Sequence, residues 1–288
     1  MSAANTPTTA NTPVTANMPA TERPWGLWLR QVSAVVRLEL RRRLFGRRSI
    51  GLYLIATLPT LPLVLRAIFM PLQHPDMAVA KSTMIMAVLF QTLVLRVVLF
   101  LGTTSMFVNL FRGDELERVL HLYFLAPLRR EVLAVAKYLA GLAMCGLLFS
   151  GTTLVSFVAV YIPHGTAAVT GRVGELIAYL ACTWLAVAGY GAMGLLFGLR
   201  FRNAMFPALA LWAWEWANPV LPALLKKISV IYWVQSVVPI HPAEGPLAII
   251  TESASPWIAV PCLALLSAAV IALAARRVRI HEIRYAAD

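Results

Sequence analysis

An all-α membrane protein of six transmembrane helices is the fold class this sequence predicts, and three observations carry it. Of 288 residues, 59% are hydrophobic and only 13% charged, with a mean hydropathy of +0.73. A soluble domain carries roughly 25% charged residues, so this chain cannot cover a water-facing surface. Six apolar segments reach the roughly 20 residues that cross a bilayer: 50–69, 84–108, 133–161, 176–199, 205–224 and 257–275. Finally, lysine and arginine concentrate in alternate connections between those segments.

The chain opens with a tail, residues 1–22, built from Thr, Ala, Asn and Pro in a loose six-residue repeat. Examples are Ala4-Asn5-Thr6-Pro7 and Ala10-Asn11-Thr12-Pro13. Prolines at that spacing block regular helix and nothing there can form a core, so a disordered tail is expected. It has no apolar run of the kind a signal peptide needs.

Residues 23–48 follow as an amphipathic helix. At 100° per residue, Arg30, Arg37, Arg41 and Arg48 fall near one line. Trp25, Trp28, Val32, Val35 and Val36 fall opposite, with Glu39 the one acid in that apolar stripe. Tryptophan at the apolar boundary and arginine on the wet face predict a helix lying in the membrane interface against lipid.

The six-span domain covers 49–275, with a cytoplasmic tail at 276–288. Its fifth segment is interrupted at the far end by Glu215, Asn218, Pro219 and Pro222. The apolar stretch 228–238 is too short to span and predicts a semi-inserted outer segment within 225–256. Nineteen of the 25 lysines and arginines lie on the side of the N-terminus, against four in the opposite loops. The positive-inside rule then puts both termini in the cytoplasm. The formal charge of +12 is explained by topology and anionic lipid, not by nucleic acid. Cys145, Cys182 and Cys262 all lie in apolar runs and read as apolar filler.

The loop 112–131 is the most informative stretch. Leu116, Val119, Leu120, Tyr123 and Phe124 follow the spacing of one apolar helix face. Asp114, Glu115 and Glu117 crowd its start, where acids favour the helix dipole. Pro127 stops the helix, and Arg129, Arg130 and Lys137 mark the inner end of the third span. A short amphipathic helix between two spans must bury its apolar face against lipid or a cytosolic partner.

This stretch, from Glu117 and Leu120 through Pro127-Leu128 and Arg130 to Lys137, resembles the corresponding loop of type-2 ABC transporter permeases. So does the wider plan of an interfacial helix, six spans and a semi-inserted segment before the last. In that family the short acidic helix couples the membrane subunit to its ATPase. The resemblance therefore implies ATPase-coupling roles for Glu115, Glu117, Leu120, Tyr123, Phe124, Pro127, Arg130 and Lys137. The chain departs from the pattern at Arg118-Val119, where Gly-Thr is usual, and at His121, where an acid is usual. It contains no Gly-Lys pair, so the phosphate-cradling G-x-x-x-x-G-K-[ST] loop is absent. The chain is expected to be non-catalytic and to bind no cofactor. ATP and magnesium would sit on a separate ABC ATPase subunit, and the permease would act as a homodimer or heterodimer in the bacterial inner membrane.

Charges at membrane depth are functional candidates, since each costs at least roughly 2.5 kcal/mol near the bilayer centre. Arg66, Arg96 and Glu215 are such charges, about 24, 12 and 18 Å above the inner boundary by helical rise. They are candidates for a substrate path or an intramembrane ion pair of Glu215 with either arginine. Trp212, Trp214, Trp216, Trp233 and Trp257 read mainly as the outer aromatic belt. Gly189, Gly191, Gly194 and Gly198 allow close helix packing, within one subunit or at a dimer face. The five histidines have no ligand spacing, so no metal site is expected. An ATP-independent carrier or channel is the alternative reading, with the intramembrane charges as its ion relay.

Overall fold

The computed structural model describes residues 24–44, 46, 49–73, 78–116, 129–240 and 254–279. Among these, regular structure is entirely helical. Helix α1 (Pro24–Leu44) is followed by α2 (Ile50–Thr57) and α3 (Thr60–Gln73), which meet at a 42° bend. Pro59 and Pro62 explain the bend, because neither can donate the backbone hydrogen bond that a continuous helix needs. Next come α4 (Val79–Leu89), a π-helical segment (Phe90–Leu99) and α5 (Phe100–Leu116), which run on as one long helix. Helix α6 (Arg130–Tyr161) leads through a short helix, α7 (Thr166–Thr170), into α8 (Val173–Arg200). Gly165, at φ 96°, makes the turn before α7, a conformation that only glycine adopts without strain.

This is an integral membrane protein. Four helices are long and apolar enough to cross a bilayer: Val79–Glu115, Arg130–His164, Val173–Arg200 and Pro256–Val278. The bent pair α2–α3 makes a fifth. The predicted segment 205–224 differs. It forms α9 (Met205–Ala217), 13 residues and about 20 Å long, then a 3-10 turn at Asn218–Val220. The prolines at 219 and 222 end the α-helix short of the roughly 30 Å hydrocarbon thickness. Two short helices follow, α10 (Ala223–Lys226) and α11 (Val230–Gln235), before α12 (Pro256–Arg279) closes the bundle. The apolar stretch 228–238 does pack inward: Val230, Ile231 and Val234 are buried where α11 meets α8 and α12.

Helix α8 is the hub, touching α5, α6, α11 and α12. Small residues make this possible. The ring of Phe107 on α5 lies against Gly141 of α6 and Gly191 of α8, where an added Cβ would come within 2.8 and 2.7 Å of it. At Gly198 the Cβ would lie 2.6 Å from the carbonyl oxygen of Val108, so α5 and α8 touch backbone to backbone. At Gly189 it would meet Val230 of α11. The glycine face of α8 is therefore packed against helices of the same chain.

Helix α1 does not use its apolar stripe on lipid alone. Val35 and Glu39 are buried, and the helix packs along the first turns of α6. Trp25 stays 68% exposed, while Trp28 lies under the Arg129 guanidinium, 5.0 Å from its ring centre. Arg37 and Arg41 face outward, as the sequence predicts.

Candidate functional site

Three helices are pinned together at one end of the bundle, where α5 ends and α6 begins. Lys137, about two turns into α6, is wholly buried. Its ammonium donates to Glu39 Oε1 of α1, to Asp114 Oδ2 of α5 and, at 3.1 Å, to the carbonyl of Leu110. A lysine has three donors, so all three are placed. The remaining carboxylate oxygens are also met. Arg43 Nε donates to Glu39 Oε2 at 2.7 Å, and Arg42 Nη1 to Asp114 Oδ1 at 2.9 Å. Arg43 Nη2 reaches the Leu110 carbonyl at 3.2 Å.

Removing two carboxylates from water is costly unless each oxygen finds a charged donor, and here each does. Burial alone would raise the Glu39 carboxyl, but Lys137 and then Arg43 outweigh it and hold Glu39 below its ordinary range. Asp114 and Lys137 stand on either side of the segment 117–128, so the clasp ties together the two helices that the loop connects.

Sequence reasoning names Lys137 but not its partners. Glu39 carries a visible signal, an acid in an otherwise apolar helix stripe. Asp114 reads from the sequence only as a helix-start acid. Of the other coupling residues, Glu115 is half-buried in the last turn of α5 and Arg130 is exposed at the start of α6. Glu117, Leu120, Tyr123, Phe124 and Pro127 lie outside the described residues.

A second cluster forms beside the middle of the long helix Val79–Glu115. Glu215 is buried near the end of α9, and its carboxylate receives four hydrogen bonds. Oε2 accepts from Ser229 Oγ at 2.7 Å, the Ile231 amide at 2.9 Å and Tyr190 OH at 3.3 Å; Oε1 accepts from the Val230 amide at 3.1 Å. Two of these are the first free amides of α11, so Glu215 caps that short helix from another element. Neither arginine pairs with the carboxylate. Arg96 Nη1 donates instead to the main-chain carbonyl of Glu215 at 2.9 Å, and its guanidinium lies 5.4 Å from the Trp216 ring centre. Trp212 Nε1 donates to the Arg96 carbonyl at 3.0 Å.

Arg66 lies elsewhere, on α3. Its Nη2 donates to Ser82 Oγ of α4 at 2.8 Å, and Ser82 in turn bonds His164 Nε2 at 2.8 Å. Arg96 and Glu215 thus meet in one cluster while Arg66 bonds Ser82 in another, and Tyr190, Ser229, Ser82 and His164 are members that sequence spacing does not reveal. Among the described residues no group of three or more His, Cys, Asp or Glu side chains is arranged to hold a metal ion. Neither a known protein-family profile nor a curated protein sequence matches this chain.

Proposed function

We propose that this chain is the membrane permease subunit of an ATP-driven ABC exporter, working as a dimer with a separate ATPase subunit that binds ATP and magnesium. The observation that carries the reading is the buried clasp of Lys137 with Glu39 and Asp114. It supports a mechanical role for the loop 112–131, because a push on that loop cannot move α5 without moving α6 and α1. The charge asymmetry of the loops supports six crossings with both termini cytoplasmic in a bacterial inner membrane. On this reading α9 and its 3-10 turn, together about 26 Å, make the fifth crossing, and α10 and α11 turn back into the bundle.

The rival reading, an ATP-independent carrier or channel, needs Arg66, Arg96 and Glu215 to act as one ion relay. Glu215 is instead occupied by a serine, a tyrosine and two amides, and Arg66 bonds Ser82. That division favours the permease.

The test is a gentle detergent pull-down of the tagged chain from its native membrane. A stoichiometric soluble partner with a phosphate-binding G-x-x-x-x-G-K-[ST] loop is expected, and Glu117→Lys should lose it while still inserting in the membrane. A chain that comes down alone, from membranes where ATPases survive, overturns the proposal and moves the carrier to the front.

A further inference from the structure

We propose that Arg96 is a binding point for the oxyanion of an amphiphilic molecule, a phosphate or a carboxylate, held inside the bundle. Arg96 is only 2% exposed and sits near the middle of the 37-residue helix Val79–Glu115. Such a buried guanidinium is expected to have its five donors met. Here Nη1 is used on the Glu215 carbonyl, whereas Nε and Nη2 have no partner among the described residues. These two nitrogens are neighbours on one edge of the guanidinium, so their N–H bonds run nearly parallel. That edge matches two oxygens of one carboxylate or phosphate, the bidentate arrangement in which arginine binds such groups best.

Glu215 does not compete for the edge, because its own oxygens are taken by Ser229, Tyr190, Val230 and Ile231. The backbone is also built for the task. Arg96 and Gln91 lie in the ten-residue π-helical segment, and i→i+5 winding brings residues five apart toward one face. Gln91 Nε2 bonds the Ile240 carbonyl at 2.9 Å, and Arg96 bonds the carbonyl of Glu215, so both turn toward the chain that follows α8. Trp216, against which the guanidinium lies, is 43% exposed and supplies an apolar flank on the outer side of the site. An anionic head on a hydrocarbon chain satisfies both the donor edge and the apolar flank.

This site rests on the permease reading for its role in transport but not for its chemistry. The experiment is native mass spectrometry of the purified full chain, titrated separately with dodecyl phosphate, dodecanoate, inorganic phosphate and dodecyltrimethylammonium. One saturable adduct per chain with dodecyl phosphate or dodecanoate is expected, weakened roughly tenfold or more in Arg96→Lys, which keeps the charge and loses the parallel donors. Binding of inorganic phosphate as tightly as dodecyl phosphate overturns the amphiphile. Equal binding of dodecyltrimethylammonium overturns the oxyanion, a comparison that needs no variant to fold. Unchanged binding in Arg96→Lys overturns the assignment to Arg96. A chain that binds dodecyl phosphate but brings down no ATPase keeps this site and loses the permease; the opposite pair of results does the reverse.

Discussion

Lys137 and Glu39, 98 residues apart in the chain, meet in an ion pair with neither side chain exposed to solvent. The pair ties α1, which precedes the bundle, to α6 within it, and Asp114 of α5 adds a third element to the same ammonium. Removing one partner of a buried pair leaves the other charged and unmet, which costs about 3–5 kcal/mol. Lys137→Met leaves one buried oxygen of each of two carboxylates unmet, Glu39 Oε1 and Asp114 Oδ2, with Arg43 and Arg42 still on the other oxygens. It is expected to lower the melting temperature of the detergent-solubilised protein sharply, more than Arg42→Met, whose partner Asp114 keeps Lys137 and whose own side chain is 32% exposed. Equal losses in the two variants would show that Lys137 is not the centre of the clasp.

The clasp also sets a pH dependence. Glu39 titrates below its ordinary value of 4.5 in the folded protein, so its charge stabilises the docked α1. A depressed carboxylate contributes fully above the unfolded value and loses its contribution as pH falls through the folded one. Docking is therefore expected to be unchanged at neutral pH and to weaken below about 4.5. Spin labels on cysteines placed at the exposed positions of Arg37 and Arg130, in a Cys262→Ser background, report it as a broadened distance distribution on acidification. In Glu39→Gln the distribution should already be broad at neutral pH and insensitive to acid down to that range. A wild-type-like acid response in the glutamine variant would assign the titration to another group.

Much of this architecture is legible in the sequence because lipid makes hydrophobic length a direct signal. The third, fourth and sixth spans lie within three or four residues of where the apolar runs put them, since each has an end marked by arginine, at Arg130, Arg200 and Arg276. The fifth does not, because apolar composition continues through Pro219 and Pro222 where the helix cannot. Glu39 stands out as an anomaly, but its partner does not, because nothing local links residue 39 to residue 137. The same holds for Glu215. Its depth points to an arginine, whereas the structure meets it with backbone amides, which nearly every residue possesses and no pattern distinguishes.

Glu215→Gln tests that cap. A neutral amide keeps one acceptor oxygen and brings two donors against the amides of Val230 and Ile231, which are themselves donors. Leaving a buried donor unmet costs about 1–3 kcal/mol. Amide exchange across α11 is expected to accelerate by roughly ten- to a hundredfold, at about 1.4 kcal/mol per tenfold, with α6 unaffected. Ser229→Ala should give a smaller change, because the two amides still hold the carboxylate. If α11 exchanges at the same rate in Glu215→Gln, the cap does not hold the segment in the bundle.

The glycines of α8 give a test in which the sign of the effect decides. Glycine is worse than alanine inside a helix by about 1 kcal/mol, so Gly→Ala should stabilise a helix wherever the methyl group has room. Gly151 of α6 has nothing within 4 Å of the added atom, and Gly151→Ala is expected to hold or raise the melting temperature. Gly198 has the same propensity to gain, but its methyl group would lie 2.6 Å from the Val108 carbonyl oxygen and 3.1 Å from Val108 Cα. Backbone cannot rotate away as a side chain does, so α5 and α8 must separate along their length. Loosened packing along that seam outweighs the propensity gain, and Gly198→Ala is expected to lower the melting temperature. Light scattering on the same samples separates the two roles a glycine stripe can have. Packing within one chain changes stability and leaves the molar mass as it was. A fall in molar mass with no change in melting temperature would instead put Gly198 at a subunit interface.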